Sequence, residues 1–402
     1  MNDVNEAANA QYSQTRIGLM IFAVFTCVII TGFGSFKFLP MQTAIQEYFH
    51  IGESAYGYLN TSSSWVGVVC AIPMGFLVRK LPCNWSVALG FAVALCGIMV
   101  QTTTTSFVLF VIGRVIEGAG SGLITLVTGS LTLNLVSKKH LSFWSSVMIM
   151  AGVLPQVIMA KGGTALMLSS GLSFQTIFRI IGGVYIGMLA LWLILVPFSL
   201  RISGVASAVK PTREQTLRVM RNRSGILVAI ANIFITATTI TFTAYVIKFL
   251  TTKGIEQSRA ADIYSFTTIL GLISMIAFGF ISDWLKTKRK IAIMSSLAGA
   301  LAFVLLAVLP ANLIFIYVFL WGTLPRSLAG MTSASAANIA EVPTDVPIVT
   351  SVKNTISSVG SIFVGILMGY MIQYLGYQFT IYCLAAGMVV SAVCWFFAKR
   401  VP

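Results

Sequence analysis

The chain is built from long apolar runs separated by short polar segments. A helix that crosses a membrane needs about 20 mostly apolar residues, and runs near this length recur along the sequence. We number them as spans one to twelve: 17–40, 56–78, 85–104, 106–135, 141–163, 174–199, 225–250, 260–283, 291–309, 312–338, 347–372 and 377–398. This pattern predicts an all-α polytopic membrane protein with twelve transmembrane helices.

The longest polar stretch between spans divides the chain into similar halves. It covers residues 200–224, between spans six and seven, and is rich in Arg, Lys and Ser. We therefore predict two pseudo-symmetric six-helix bundles. The predicted organisation is a tail at 1–16, a bundle at 17–199, a central loop at 200–224, a bundle at 225–398 and a tail at 399–402.

The composition agrees with this pattern. Of the 402 residues, 57% are hydrophobic and only 9% are charged, whereas soluble domains carry about 25% charged residues. A soluble domain, a disordered chain and a disulfide scaffold are thereby excluded. The six cysteines are scattered, no phosphate-binding GxxxxGK[ST] loop is present, and no span holds a cluster of His, Asp or Cys. We predict no cofactor, no metal, no enzymatic activity and no nucleic-acid partner.

The basic residues predict the orientation in the membrane. The formal net charge is +15, and most of the 26 Lys and Arg residues lie in alternate polar segments, beginning with the N-terminal one. Basic residues next to spans favour the cytoplasmic side. We expect a multi-pass protein of the inner, cytoplasmic membrane with both termini in the cytoplasm.

The two halves share local motifs. Arg114 is followed four residues later by Gly118 in span four, and Arg326 is followed by Gly330 at the same spacing in span ten. The ends of spans two and eight also correspond, since each carries a Gly-Phe pair before its polar loop. Such internal symmetry is typical of transporters.

These features resemble the major facilitator superfamily over essentially the whole chain. The loop motif of that family, G-x-L-A-D-R-x-G-R-R, is well kept after span eight and departs after span two, where Arg79 replaces the acid. The resemblance implies transport by alternating access. It also implies a gating role for Gly75, Arg79, Gly279, Asp283 and Arg289.

Charged residues inside the spans are the candidates for function. Arg114, Arg326 and Lys353 lie within spans four, ten and eleven, and Glu117 is the one carboxylate deep in a span. A charge at mid-bilayer costs about 2.5–3.5 kcal/mol, so such residues usually face a cavity or a partner. Arginine offers a planar fork that fits anionic oxygens. The surplus of cations predicts an anionic substrate, and the chain resembles the nitrate/cyanate, oxalate/formate and organic-anion branches of the family.

Each of these residues also has a second interpretation. Arg114 could pair with Glu117 at i+3, and Lys353 and Lys37 could extend to the membrane surface. Glu117 is either a proton carrier or a fixed ion-pair partner of Arg114 or Arg326. Polar neighbours complete the predicted substrate-binding set, which is Arg114, Arg326, Lys353, Lys37, Asn354, Gln156 and Tyr245.

The sequence thus predicts a secondary transporter of a small organic or inorganic anion, working by proton symport or by anion exchange. The expected partners are the anion, protons and membrane lipids, and we expect a monomer. An efflux transporter of amphipathic compounds is the main alternative, and a non-transporting membrane sensor is the lesser one.

Overall fold

The computed structural model describes residues 14–69, 74, 77–78, 81–135, 141–197, 221–285, 287–335, 339 and 346–398. Every regular element in these ranges is a helix. Each of the twelve predicted spans contains a helix, so the predicted all-α fold is confirmed.

Nine helices in the described part of the chain are long and apolar enough to cross a membrane, and ten if the bent pair in span seven is counted as one. One of the nine, Val352–Phe397, is 46 residues long and holds both spans eleven and twelve. The chain turns at Gly376, whose φ of 82° is a conformation that glycine adopts without strain.

Two compact units divide the chain by their contacts. Unit 1 comprises Met1–Met41 and Ser62–Val209, and unit 2 comprises Gln42–Thr61 and Lys210–Pro402. The segment 42–61 belongs to unit 2, although it precedes most of unit 1 in sequence. The predicted boundaries at 17–199 and 225–398 stay a prediction.

Unit 1 is held together by close helix packing between spans three and four. A Cβ on Gly97 would lie 2.5 Å from both the nitrogen of Glu117 and the oxygen of Gly113. Small residues at such a seam allow helix backbones to approach closely, which places Glu117 against span three. The helices of this unit are Gln14–Phe36, Cys83–Thr103, Phe107–Leu135, Leu141–Ile158, Thr164–Leu168 and Phe174–Leu195. The helix Glu53–Val69 belongs to unit 2 up to Thr61 and to unit 1 from Ser62 onward.

Unit 2 packs span seven against the long helix of spans eleven and twelve. Gly360 and Gly387 face Ile233 and Phe234, and a Cβ on either glycine would lie within 2.6 Å of these side chains. The helices of this unit are Gln42–Phe49, Arg223–Thr236, Thr243–Thr252, Gln257–Leu285, Lys288–Val308, Ile314–Gly322, Leu324–Ala334 and Val346–Phe397.

Two spans of unit 2 are interrupted. In span seven a π-helical turn, Ala237–Thr241, separates the helices before and after it, which are bent by 46°. In span ten the helix ends at Gly322, Thr323 has non-helical angles of φ −90° and ψ −95°, and a new helix begins at Leu324. A broken helix frees backbone groups within the membrane, so breaks are tolerated where protein or a cavity surrounds them.

Candidate functional site

A buried ion cluster occupies the interior of unit 1. Lys37 donates from Nζ to both carboxylate oxygens of Glu117, at 2.8 Å and 2.9 Å, and neither side chain is exposed. Gln101 of span three donates to Oε2 of Glu117 at 2.9 Å. Arg114 donates to the same oxygen at 3.1 Å. Four hydrogen bonds from spans one, three and four therefore hold the Glu117 carboxylate.

Arg114 also binds the end of span one. Its Nη1 donates to the carbonyl of Gly34 at 2.8 Å, and its Nη2 donates to the carbonyl of Ser35 at 3.3 Å. These carbonyls belong to the last turn of the helix Gln14–Phe36, where a cation is favoured by the helix dipole. The guanidinium thus stabilises a helix end as well as Glu117.

Aromatic rings and a glycine enclose the same cluster. Lys37 Nζ lies 4.1 Å from the ring centre of Phe178, and the Arg114 guanidinium lies 4.4 Å from that of Phe38. A Cβ on Gly34 would lie 2.6 Å from Oε1 of Glu117 and closer still to the hydroxyl of Tyr185. Only glycine fits this close approach. Gln156, also in unit 1, is buried beside Pro155.

Arg326 and Lys353 of unit 2 have a different environment. Arg326 is 9% exposed, donates one long bond of 3.4 Å to Oγ1 of Thr268, and packs its aliphatic stem against Gly271. Lys353 is 4% exposed and donates to the carbonyl of Thr332 at 2.9 Å. Neither forms an ion pair with any residue that the structure describes, and Arg326 Nε makes no hydrogen bond there.

A small cavity in unit 2 lies beside Arg326. Its volume is about 10 Å³, enough for about one water molecule, and its walls include Phe242, Thr243, Tyr317, Trp321 and Arg326. These residues come from the interrupted regions of spans seven and ten. The cavity therefore lies where the two broken spans meet the guanidinium of Arg326, which has no ion-pair partner among the described residues.

Two further predicted residues lie elsewhere in unit 2. Tyr245 is fully buried, its ring packs edge-on against Tyr56 with centroids 5.6 Å apart, and its hydroxyl has no partner in the described ranges. Asn354 is exposed next to Lys353. The substrate-binding roles of all seven predicted residues stay predictions.

A polar network around Glu53 was not predicted from the sequence. Lys248 donates to Oε1 of Glu53 at 2.6 Å, the hydroxyl of Tyr377 donates to the same oxygen at 3.0 Å, and Gln42 donates to Oε2 at 2.8 Å. Lys248 also contacts Gln46. The network ties the segment 42–61 to spans seven and twelve within unit 2. Glu53 and Lys248 carry opposite charges, and each lies near the end of a predicted span. This is the signal for the network that the sequence offers.

The predicted gating residues are described in part. Gly75 and Arg79 lie outside the described residues, and Gly279 and Asp283 lie on the helix Gln257–Leu285. Arg289 donates from Nε to the carbonyl of Trp395 at 3.2 Å, contacts the carbonyl of Phe396, and stacks 5.5 Å from the Phe396 ring. It therefore caps the end of span twelve.

Long apolar helices in two units, with interrupted spans and buried cations, define a polytopic membrane transporter. The sequence model of the Major Facilitator Superfamily matches residues 24–340. The chain belongs to that superfamily, as its motifs indicated.

Solved structures show the same fold. The chain is similar to a bacterial homolog of the human lysosomal transporter Spinster, with a TM-score of 0.79 and 14% identity over 97% of this chain and 98% of that one. It is also similar to the nucleoside transporter NupG, with a TM-score of 0.75 and 13% identity over 94% of this chain and 99% of that one. No curated protein matches the sequence. At these identities the likeness shows the fold alone.

Proposed function

We propose that this transporter moves a small anion across the cytoplasmic membrane by alternating access. The observation that supports the proposal is the pair of buried cations in unit 2, Arg326 and Lys353, which lack a described carboxylate partner. A permanent cation near mid-membrane is costly unless an opposite charge or water accompanies it. A transported anion would supply that charge during each cycle.

The charge balance of the two units supports the same proposal. Within the described residues, four cations and one carboxylate are buried: Lys37, Arg114, Arg326, Lys353 and Glu117. In unit 1, Glu117 offsets one of two positive charges, and Arg114 is further satisfied by two carbonyls. In the described part of unit 2, Arg326 and Lys353 donate to neutral acceptors, Thr268 and the carbonyl of Thr332. We assign the substrate-binding role to the cations of unit 2.

The unit 1 cluster favours a structural role. A proton on Glu117 would remove the negative charge that lies against Lys37 and Arg114, and would displace the donors on the oxygen that it occupies. We therefore propose a fixed ion cluster, so that coupling occurs by anion exchange or by protons that travel with the substrate. We further propose that both termini lie in the cytoplasm, on the basis of the Lys and Arg distribution, and that the chain works as a monomer.

Uptake into proteoliposomes tests the proposal. The purified chain would be tested with nitrate, cyanate, oxalate, formate, lactate and aromatic carboxylates, together with the variants R326Q and K353M. We expect saturable uptake of at least one anion, and strong loss in both variants. R259Q is the matched control, because Arg259 is exposed in the same unit. Uptake that persists in both variants, or dye efflux that depends on Glu117 without any anion uptake, would contradict the proposal.

A further inference from the structure

An open groove lies on the surface of unit 2, between spans eight and ten. Its volume is about 490 Å³, which is within the range of small-molecule sites. The lining residues belong to two helical segments that are long and apolar enough to cross a membrane, Gln257–Phe278 and Ala311–Leu328. Because such segments lie in the bilayer, the groove opens toward lipid.

The groove and the water-sized cavity beside Arg326 use different faces of these two spans. In span ten the groove is lined by Phe315 and Phe319, whose side chains are exposed. The cavity is lined by Tyr317 and Trp321, whose side chains are buried. The groove is therefore separate from the proposed anion site at Arg326.

The groove is polar at one end and apolar along the rest of its length. Arg259, Asp262 and Asn312 line it within the first two turns of the two spans, and Phe266 and Phe319 line it farther along. Arg259 and Phe266 are separated by about 10 Å along the helix. Span ends lie near the headgroups of a bilayer, and the following turns lie among the acyl chains. A molecule with a polar head and an apolar chain matches this order.

The charges at the polar end favour a particular kind of head. The charged residues of the lining are Arg259 and Asp262. Arg259 is exposed and forms no ion pair among the described residues. A guanidinium offers paired donors that fit the oxygens of a phosphate. Asp262 brings the formal charge of the lining to zero, so a headgroup with a net negative charge gains less here than a zwitterionic one.

We propose that this groove binds one phospholipid with a zwitterionic headgroup, its phosphate beside Arg259 and one acyl chain against Phe315 and Phe319. The two spans contact such a chain from both sides, and each added contact contributes dispersion energy. A second copy of the chain fits less well, because it would also bury the charges of Arg259 and Asp262. With the orientation proposed above, the headgroup lies in the outer leaflet.

Native mass spectrometry of the purified full-length chain tests this inference. The protein in detergent would be titrated with phosphatidylethanolamine or with phosphatidylglycerol of the same acyl chains. We expect the one-lipid complex to form at a lower concentration of phosphatidylethanolamine, by up to about fivefold, which is the scale of an exposed charge contact. R259Q should weaken the binding of phosphatidylethanolamine by up to about the same factor. Equal binding of the two lipids would overturn the assignment of a zwitterionic headgroup.

A matched pair of phenylalanines tests the apolar part of the groove. Phe319 lines the groove, whereas Phe363 lies on another helix of the same unit, and the two are 66% and 68% exposed. We expect F319A to weaken the one-lipid complex by about two- to threefold, because contacts with the acyl chain are lost, and F363A to leave it unchanged. Both positions are exposed, so neither substitution should impair folding. Equal effects of F319A and F363A would overturn the inference, and so would binding that is unchanged in both F319A and R259Q.

The same spectra show whether a second copy of the chain occupies the groove. A dimer that forms without added lipid and is lost in F319A would overturn the lipid assignment. The inference goes beyond the proposed anion transport and does not depend on it. Lipid binding that weakens in R259Q and F319A would support the site even without anion uptake into proteoliposomes, and that lack of uptake would overturn the proposed function alone.

Discussion

Lys37 Nζ and Glu117 Oε1 lie 2.8 Å apart, and both side chains are completely buried. The two residues are 80 positions apart in sequence. Their pair, together with Arg114 and Gln101, links spans one, three and four within unit 1. Removing one partner of such a buried pair strongly destabilises the folded protein, because the other charge is left without compensation.

We therefore expect E117Q to destabilise the protein by about 3–5 kcal/mol. The substitution leaves Lys37 and Arg114 buried without a counter-charge. Thermal unfolding in detergent measures the effect, and E256Q, at an exposed position, is the control. The double variant K37M/E117L should be less destabilised than E117Q, since it removes both members of the pair. Equal melting temperatures for E117Q and E256Q would contradict the fixed ion cluster.

The close approach at Gly34 gives a second prediction. In G34A the new methyl group would overlap Glu117 and Tyr185, and overpacking of this kind costs about 1–3 kcal/mol. G18A is a matched control on the same helix, because no packing neighbour among the described residues lies within 4 Å of the position its Cβ would take. Melting temperatures in detergent should fall for G34A alone. A similar fall in both would mean that glycine matters for helix flexibility there, rather than for space.

The features of the fold that depend on local, periodic patterns could be predicted from the sequence. Span positions follow from runs of apolar residues, and the contact of Arg114 with Glu117 follows from their i, i+3 spacing. No carboxylate lies within a helical turn of Arg326 in the sequence, which agrees with the lack of an ion pair for Arg326 among the described residues. Pro325 at the start of a helix is a local signal for the interruption of span ten.

The sequence could not predict the partners that tertiary packing brings together. The sequence allows snorkelling or substrate entry for Lys37, whereas in the structure its Nζ is completely buried against Glu117 and the Phe178 ring. Glu53 and Lys248 are 195 residues apart, and either alone is consistent with an ordinary span end. Single-sequence patterns carry no information on such pairs.

The network around Glu53 gives a third prediction. Glu53 and Lys248 are partly exposed, at 14% and 24%, so water screens their attraction and lowers its value. We expect E53Q to destabilise unit 2 by about 1–2 kcal/mol, chiefly through weaker bonds from Lys248, Tyr377 and Gln42. A double-mutant cycle with K248M should give a coupling energy of about 0.5–1 kcal/mol. E47Q, at an exposed position, is the control, and a coupling energy near zero would show that the contact is not energetically important.

The contrast between the two matched arginines gives the fourth prediction. Arg114 donates three hydrogen bonds to Glu117, Gly34 and Ser35, whereas Arg326 donates one long bond to Thr268. R114Q should therefore lower the free energy of unfolding by about 2–3 kcal/mol, because bonds to charged groups are lost from a buried site. R326Q should change it by less than about 1 kcal/mol, since it removes one weak bond and a buried charge that has no ion pair among the described residues. Anion uptake per folded molecule should show the opposite order, with a larger loss of uptake in R326Q than in R114Q. Measuring both properties on the same preparations keeps stability and transport separate, and a large loss of stability in R326Q with normal uptake would reverse the roles assigned to the two residues.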